Sequence, residues 1–186
     1  MHYPNNIKKK KNTYVDYGNR GMDLEHLIND SNQYYLENDI ALIFKKATPI
    51  GIAKVKYNVL GKEIEKAYFK EKSTLDYNGL YKGKYIEFDA KETMNKTSFP
   101  IANVHEHQIE HIRSVLKHKG ICFLIIKMNG LFYLLFGSDF IQFIDNNNRK
   151  SIPYSFLEEH AHLIKESYYP SLDYLKVIDE YVIKEN

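Results

Sequence analysis

Tyr81-Lys82-Gly83-Lys84-Tyr85-Ile86-Glu87-Phe88-Asp89-Ala90-Lys91-Glu92 is the stretch whose alternation decides both the fold class and the face that carries chemistry. Tyr81-Lys82-Gly83-Lys84 predicts a tight turn between two strands, because glycine supplies the positive φ that such turns need. Beyond the turn, Ile86, Phe88 and Ala90 fall on one face of a strand, and Glu87, Asp89 and Lys91 project together from the other. Next-nearest side chains on one face stand about 6.6 Å apart. A carboxylate with a lysine two residues on can hold a hard cation while the ammonium stabilises charge on a phosphate. A solvent-facing strand with a simple ion pair has the same pattern, since antiparallel sheets commonly keep one polar face.

Asp76 lies just before the preceding strand, in Ser73-Thr74-Leu75-Asp76-Tyr77-Asn78-Gly79, and from there a second carboxylate can reach the same site. A helix is expected over His105–His118, with Ile109, Ile112, Val115 and Leu116 on its buried side. Gln108 falls at or near that buried face, where an unpaired amide is costly, so it needs a polar partner: the active-site acids, a cation, or a satisfied core position. His105, His107, His111 and His118 cluster here, but the chain reads His107-Gln108-Ile109-Glu110-His111 and lacks the H-E-x-x-H order of a zinc hydrolase. His105, Arg113, Lys117 and Lys119 suit phosphate contact or a solvated helix face. Glu25 sits beside the stripe Leu24, Leu27, Ile28 of a helix expected over about 21–37, at the solvent edge or lining the same site.

Ile40 to Phe44 is suited to a buried strand. Between Pro49 and Phe69 hydrophobicity falls and Lys and Glu alternate with single apolar residues, which predicts a protruding arm or hairpin turning at Asn58-Val59-Leu60-Gly61-Lys62. Asn95 to Pro100 reads as a loop. Ile121–Met128 and Leu131–Phe136 are two strands joined by Asn129-Gly130, the strongest short hairpin signal in the chain. Helical spacing then covers Pro153–Ile164, and Ser171 is placed to cap a last helix carrying Leu172, Leu175, Ile178 and Val182. Helices interleaved with strands make an α/β layer arrangement with a mixed sheet.

The 186 residues match one domain with appendages. With 26 Lys and Arg against 24 Asp and Glu, the net charge of +2 excludes a polycation that holds nucleic acid by bulk charge, so any anionic partner must meet a local patch. Residues 1–18 form a basic arm expected to be flexible, with Lys8-Lys9-Lys10-Lys11 able to touch phosphates or merely solvated. No apolar segment resembles a secretory signal or approaches the about 20 residues that span a bilayer, so a cytoplasmic location is expected. The one cysteine, Cys122, sits in an apolar run and is expected to be buried filler.

Several longer motifs occur in order: Asn19-Arg20-Gly21-Met22 with Leu24-Glu25, Lys45-Lys46-Ala47-Thr48-Pro49-Ile50, Ala67-Tyr68-Phe69, Thr74-Leu75-Asp76-Tyr77-Asn78-Gly79, Tyr81-Lys82-Gly83-Lys84-Tyr85-Ile86, Ala90-Lys91-Glu92-Thr93, Asn95-Lys96-Thr97-Ser98-Phe99-Pro100, and His105 with His107-Gln108-Ile109. Together they make the chain resemble, from Asn19 onward, the RecU Holliday junction resolvases, a branch of the PD-(D/E)xK nuclease superfamily. The resemblance implies a restriction-endonuclease-like core, a central mixed sheet flanked by helices, in a nuclease domain over 19–186 with a stalk at about 49–69. It also implies a homodimeric, Mg²⁺-dependent endonuclease, with Mn²⁺ as a substitute, that nicks four-way DNA junctions symmetrically in recombination and repair. Thr74, Asp76, Asp89 and Gln108 would be the metal site, Lys91 the stabiliser of the phosphate transition state, and Glu25 a supporting catalytic residue. Arg20, Lys45, Lys46, Lys82, Lys96 and His105 would meet DNA. A strand-exchange recombinase and a branch-migration motor are the implied protein partners. A restriction-like nuclease on duplex DNA, and a junction-binding modulator without cleavage, are the alternatives. The chain departs from the family pattern in having Glu87 and Asp89 where Asp and then Glu are expected, and in placing Leu75 in a slot often Thr.

Overall fold

The computed structural model describes residues 23–59, 61–70 and 74–183. The basic arm 1–18 and Arg20 lie outside the described residues. In chain order the elements are α1 (Leu24–Glu37), β1 (Leu42–Lys45), β2 (Ile50–Asn58), β3 (Gly61–Phe69), β4 (Tyr77–Tyr81), β5 (Lys84–Glu92), β6 (Ser98–Pro100), α2 (Glu106–Lys117), β7 (Ile121–Met128), β8 (Leu131–Phe136), α3 (Gly137–Asn146), β9 (Ser151–Pro153), α4 (Tyr154–His160), β10 (His162–Ile164) and α5 (Tyr174–Ile178). None of the described helices is long and apolar enough to cross a membrane.

The six-stranded central sheet has the order β1-β4-β5-β7-β8-β10. Its one parallel pair is β5 with β7, joined through the α2 crossover; all other neighbours are antiparallel. The mixed α/β class expected from the sequence is therefore the observed one. β7 is buried along almost its whole length because helices pack on both faces of the sheet, which explains its unbroken apolar run. One layer gathers Leu24, Leu27 and Ile28 of α1 with Ile86, Phe88, Phe123 and Ile125 of the sheet and Tyr174, Leu175 and Ile178 of α5. The opposite layer gathers Cys122, Leu124 and Ile126 with Ile112 and Val115 of α2 and Phe140 and Phe143 of α3. Cys122 is 2% exposed, as its apolar surroundings predict.

Two packing devices fix the strands that matter for chemistry. Tyr77, Phe88 and Phe123 are direct cross-strand neighbours on β4, β5 and β7, and their rings stack at centroid distances of 4.8 and 4.7 Å with interplanar angles of 4° and 9°. Aromatic cross-strand pairs of this kind specify register as well as burying area. Gly79 lets β1 close on β4: a Cβ there would lie 2.0 Å from the Leu42 carbonyl oxygen.

β2 and β3 pair only with each other, as a separate two-stranded sheet with Asn58 opposite Gly61 at the turn. Every described residue of β3 is exposed. Short of burial, the hairpin is held by its own ladder and by Tyr68, whose ring lies where a Cβ on Gly51 would be.

The structure corrects several element boundaries. The helical spacing over Pro153–Ile164 breaks at Ala161, which is extended, and His162–Ile164 become the outermost strand by pairing with β8. An edge strand with unpaired amides and carbonyls outcompetes one more helical turn there. α3, which the sequence reading does not assign, occupies 137–146. The last helix begins at Tyr174 with Asp173 at its N-cap, so Ser171 does not cap it. Residues 98–100, expected as loop, pair as β6 with β9.

Candidate active site

The β4–β5 ladder ends with Tyr77 opposite Phe88, so Asp76, the residue just before β4, comes close enough to Asp89, the residue after Phe88, for its charge to act on it. Asp89 is 0% exposed. Burial raises its carboxyl above the usual carboxylate range; the Lys91 ammonium pulls it down and the Asp76 charge pushes it further up. The same stacked rings that bury Phe88 on one face thus hold two acids together on the other.

Asp89 is held from three directions. Its Oδ1 accepts the Ala90 backbone N–H at 2.8 Å, its Oδ2 accepts the Gln108 side-chain amide at 2.6 Å, and Lys91 Nζ lies 3.0 Å from Oδ2. Gln108 is 4% exposed, and the partner that its buried position on α2 demands is therefore the carboxylate of Asp89. Its Oε1 accepts the His105 backbone N–H at 3.1 Å, tying down the first turn of α2, and receives Lys91 Nζ at 3.3 Å. Asp89, Lys91 and Gln108 form one network at a point where a sheet strand meets a helix N-terminus.

Glu87, on the same face of β5, is 1% exposed and has a separate set of partners. Lys46 donates to it, Tyr85 Oη donates at 2.7 Å, and His111 Nε2 lies 2.8 Å away in ion-pair range but out of line for a hydrogen bond. Burial works to raise the Glu87 carboxyl, and the hydrogen bonds from Lys46 and Tyr85, with His111 close by, outweigh it, so the group ends below its ordinary value. Tyr85, Glu87 and His111 border an open pocket of about 500 Å³ that also reaches Lys84, His118 and Lys119.

The remaining expected site residues scatter. Glu25 pairs with Lys45 at the sheet edge, with both side chains partly exposed. Lys46 turns inward to Glu87, and its backbone N–H donates to the Asp76 carbonyl at 2.7 Å. Lys82, at the β4–β5 turn, pairs with Asp179 at 2.7 Å. Lys96 is exposed beyond β5, and its carbonyl accepts from Asn129. Thr74 is half-buried just before Asp76. Leu75 is 1% exposed and packs in the α2–α3 layer, which an apolar side chain suits. Sequence reasoning missed Lys46, Tyr85 and His111 as partners of Glu87. Only Tyr85, two residues before Glu87 on one strand face, carried a local signal.

Among the described residues no group of three or more His, Cys, Asp or Glu gathers into a metal cage. The site offers two neighbouring carboxylates with neutral oxygens beside them, a hard-donor set of the size Mg²⁺ uses when waters and phosphate oxygens fill the rest of its shell. Two acids close enough for one charge to act on the other would be balanced by a cation held between them. These residues therefore fit the group.

An acid at the head of one strand and an acid-x-lysine on its neighbour, carried by a mixed α/β sheet, define the class of the PD-(D/E)xK nucleases. The chain matches the family model described as "RecU: Recombination protein U" over residues 19–180. It is 50% identical over 182 residues to a protein of Bacillus mycoides named Holliday junction resolvase RecU, covering 95% of this chain and 90% of that one. It is 49% identical over 188 residues to a protein of the same name from Lactiplantibacillus plantarum, covering 96% and 89%. Among solved structures it is similar, at TM-score 0.42 and 7% identity, to Hjc, a Holliday junction resolvase of Archaeoglobus fulgidus, over 73% of this chain and 92% of that one. The chain belongs to the RecU family.

Proposed function

We propose that the protein is a Mg²⁺-dependent endonuclease that resolves Holliday junctions by paired symmetric nicks in recombination and repair. The observation that carries this reading is the nearness of Asp76 to Asp89 with Lys91 3.0 Å from the Asp89 carboxylate. Asp76 and Asp89 would hold the cation, with Thr74 Oγ1 and Gln108 Oε1 completing the protein ligands. A bound Mg²⁺ supplies a Lewis acid that neutralises the scissile phosphate and lowers the pKa of a water. Lys91, held 3.0 Å from Asp89, stabilises negative charge developing on the phosphate. Gln108 keeps Asp89 and Lys91 aimed, because both touch its amide. Glu25 supports from the sheet edge through Lys45.

Resolution needs two nicks, so a homodimer would present two such faces to strands related by a two-fold axis. The β2–β3 hairpin stands free of the core and is the stalk of this reading, reaching toward the junction centre with exposed Lys54, Lys56, Lys62 and Lys66. Arg20, Lys82, Lys96 and His105 would add phosphate contacts, and a strand-exchange recombinase and a branch-migration motor would be cytoplasmic partners. The test is cleavage of a synthetic four-way junction and its matching linear duplex, with Mg²⁺ or EDTA, by wild type and Asp76→Ala. Paired nicks in the junction alone, lost in EDTA and in the variant, are expected. Equal cleavage of duplex would make this a restriction-like nuclease, and tight junction binding without cleavage would make it a modulator.

A further inference from the structure

Lys46 touches the chain at both proposed metal-binding segments. Its backbone N–H donates to the carbonyl of Asp76 at 2.7 Å, while its side chain donates to the carboxylate of Glu87, two residues before Asp89 on β5. It lies immediately after β1 and four residues before β2 begins, so it is also the root from which the hairpin leaves the sheet. The pair is enclosed: the Lys46 side chain is 26% exposed and that of Glu87 is 1%. Glu87 is anchored in turn by Tyr85 on its own strand and by His111 on α2, the helix that brings Gln108 to Asp89. Hydrogen bonds therefore tie the hairpin root directly to the backbone of Asp76 and to Glu87, two residues before Asp89 on the same strand. The Lys46 ammonium is thus engaged by a buried carboxylate.

We propose that Lys46 and Glu87 form a positioning clamp that sets the separation of Asp76 and Asp89, so that the hairpin root and the cation-binding acids move as one body. Lys46 and Glu87 are positioning residues that act through Asp76 and Asp89. The length of Glu87 is part of the device, since a side chain one methylene shorter draws its carboxylate back from Lys46 and His111. This inference rests on the resolvase reading.

Full-length Lys46→Met, Lys46→Arg, Glu87→Asp and the double variant Lys46→Met/Glu87→Gln are compared with wild type. The double variant leaves no unpaired buried charge, and replacing both partners of a buried pair is commonly neutral for folding, so it serves where a single change melts the protein. Three quantities are read: Ca²⁺ affinity by calorimetry on the protein alone, junction affinity in Ca²⁺ across salt concentrations, and kcat and KM for junction cleavage in Mg²⁺. A clamp predicts that Lys46→Met and the double variant weaken Ca²⁺ binding and lower kcat by about 10- to 100-fold, the range for groups that orient metal ligands, with junction affinity and KM within about 2-fold. Glu87→Asp falls between these variants and wild type, and Lys46→Arg restores most of the Ca²⁺ affinity. Unchanged Ca²⁺ affinity and kcat overturn the clamp. So does a weaker junction complex whose salt slope drops by about 1, which would make Lys46 a phosphate contact. If wild type binds Ca²⁺ but cleaves no junction, the resolvase reading fails instead, and the calorimetric comparison still decides the clamp.

Discussion

β5 and β3 are each nine residues long and both mix Lys and Glu with apolar residues, yet β5 is buried through its middle and β3 is exposed from end to end. The contrast comes from their neighbours. β5 lies between β4 and β7, with the ring of Phe88 stacked between Tyr77 and Phe123, whereas β3 has only β2. A carboxylate on β5 loses its water and must find fixed partners, so Glu87 and Asp89 between them engage two lysines, a tyrosine, a histidine, a glutamine and a backbone amide. A carboxylate on β3, such as Glu65 facing Lys54, keeps its water and commits the fold to little. Buried charge therefore marks the strand proposed for chemistry, and exposed alternation marks the hairpin proposed as the stalk.

The sharpest way to break this contrast is in the acids. Asp76→Ala and Asp89→Ala should each abolish detectable junction cleavage while leaving gel-shift binding through the hairpin intact; loss of binding to the same degree would show that the two regions do not divide the work. Lys91→Ala should lower kcat by about 10²- to 10³-fold with little change in KM, the usual loss when a group that stabilises transition-state charge is removed.

Stability should divide in the same way. Phe88→Ala removes the middle ring of the stack and is expected to cost about 3 to 5 kcal/mol by chemical denaturation. Tyr57→Ala, on a hairpin residue 72% exposed, should stay within about 0.5 kcal/mol. Similar costs at both positions would mean that the hairpin belongs to the core's cooperative unit. Gly79→Ala, which drives a Cβ into the β1 backbone, should cost about 1 to 3 kcal/mol, and Gly61→Ala at the hairpin turn, where the surroundings are open but φ is +131°, should cost less. Lys56→Ala should reduce the slope of log junction affinity against log salt by about 0.9 if that lysine meets a phosphate. An unchanged slope would remove it from the interface.

The smallest effect belongs to the far edge of the sheet. His162 of β10 stacks on Tyr181 at 3.7 Å and packs edge-on to Phe136, and burial lowers its pKa below the ordinary histidine value, with Asp139 and Glu180 opposing in part. A lowered histidine contributes stability that is present in full above its unfolded pKa of about 6.5 and is lost as pH falls through the lower folded value. His162→Phe should therefore flatten the decline in melting temperature between pH 7 and pH 5, by a small amount because the ring is only partly enclosed. If the slope is unchanged, the acid-sensitive groups lie elsewhere.

Much of this was legible in the chain. Period-two alternation placed Glu87, Asp89 and Lys91 on one face, Asn129-Gly130 fixed the β7–β8 hairpin, and the polarity of 49–69 set that segment apart. α3 and β10 were not legible, because a ten-residue helix that follows a strand without a loop and a three-residue edge strand take their form from what they pack against or pair with. Residues whose role is a local pattern could be read directly: a strand face, a glycine turn, a buried glutamine that demands a partner. Which partner each charge takes was decided by tertiary structure alone. Lys46 is 41 positions from Glu87 and 30 from Asp76, and a basic dipeptide beside a hairpin gives no local sign of the buried carboxylate that the sheet brings to it. The physical reason is range: alternation and turn chemistry act between near neighbours along the chain, whereas the desolvation that makes a charge choose its partner exists only once distant segments have closed over it.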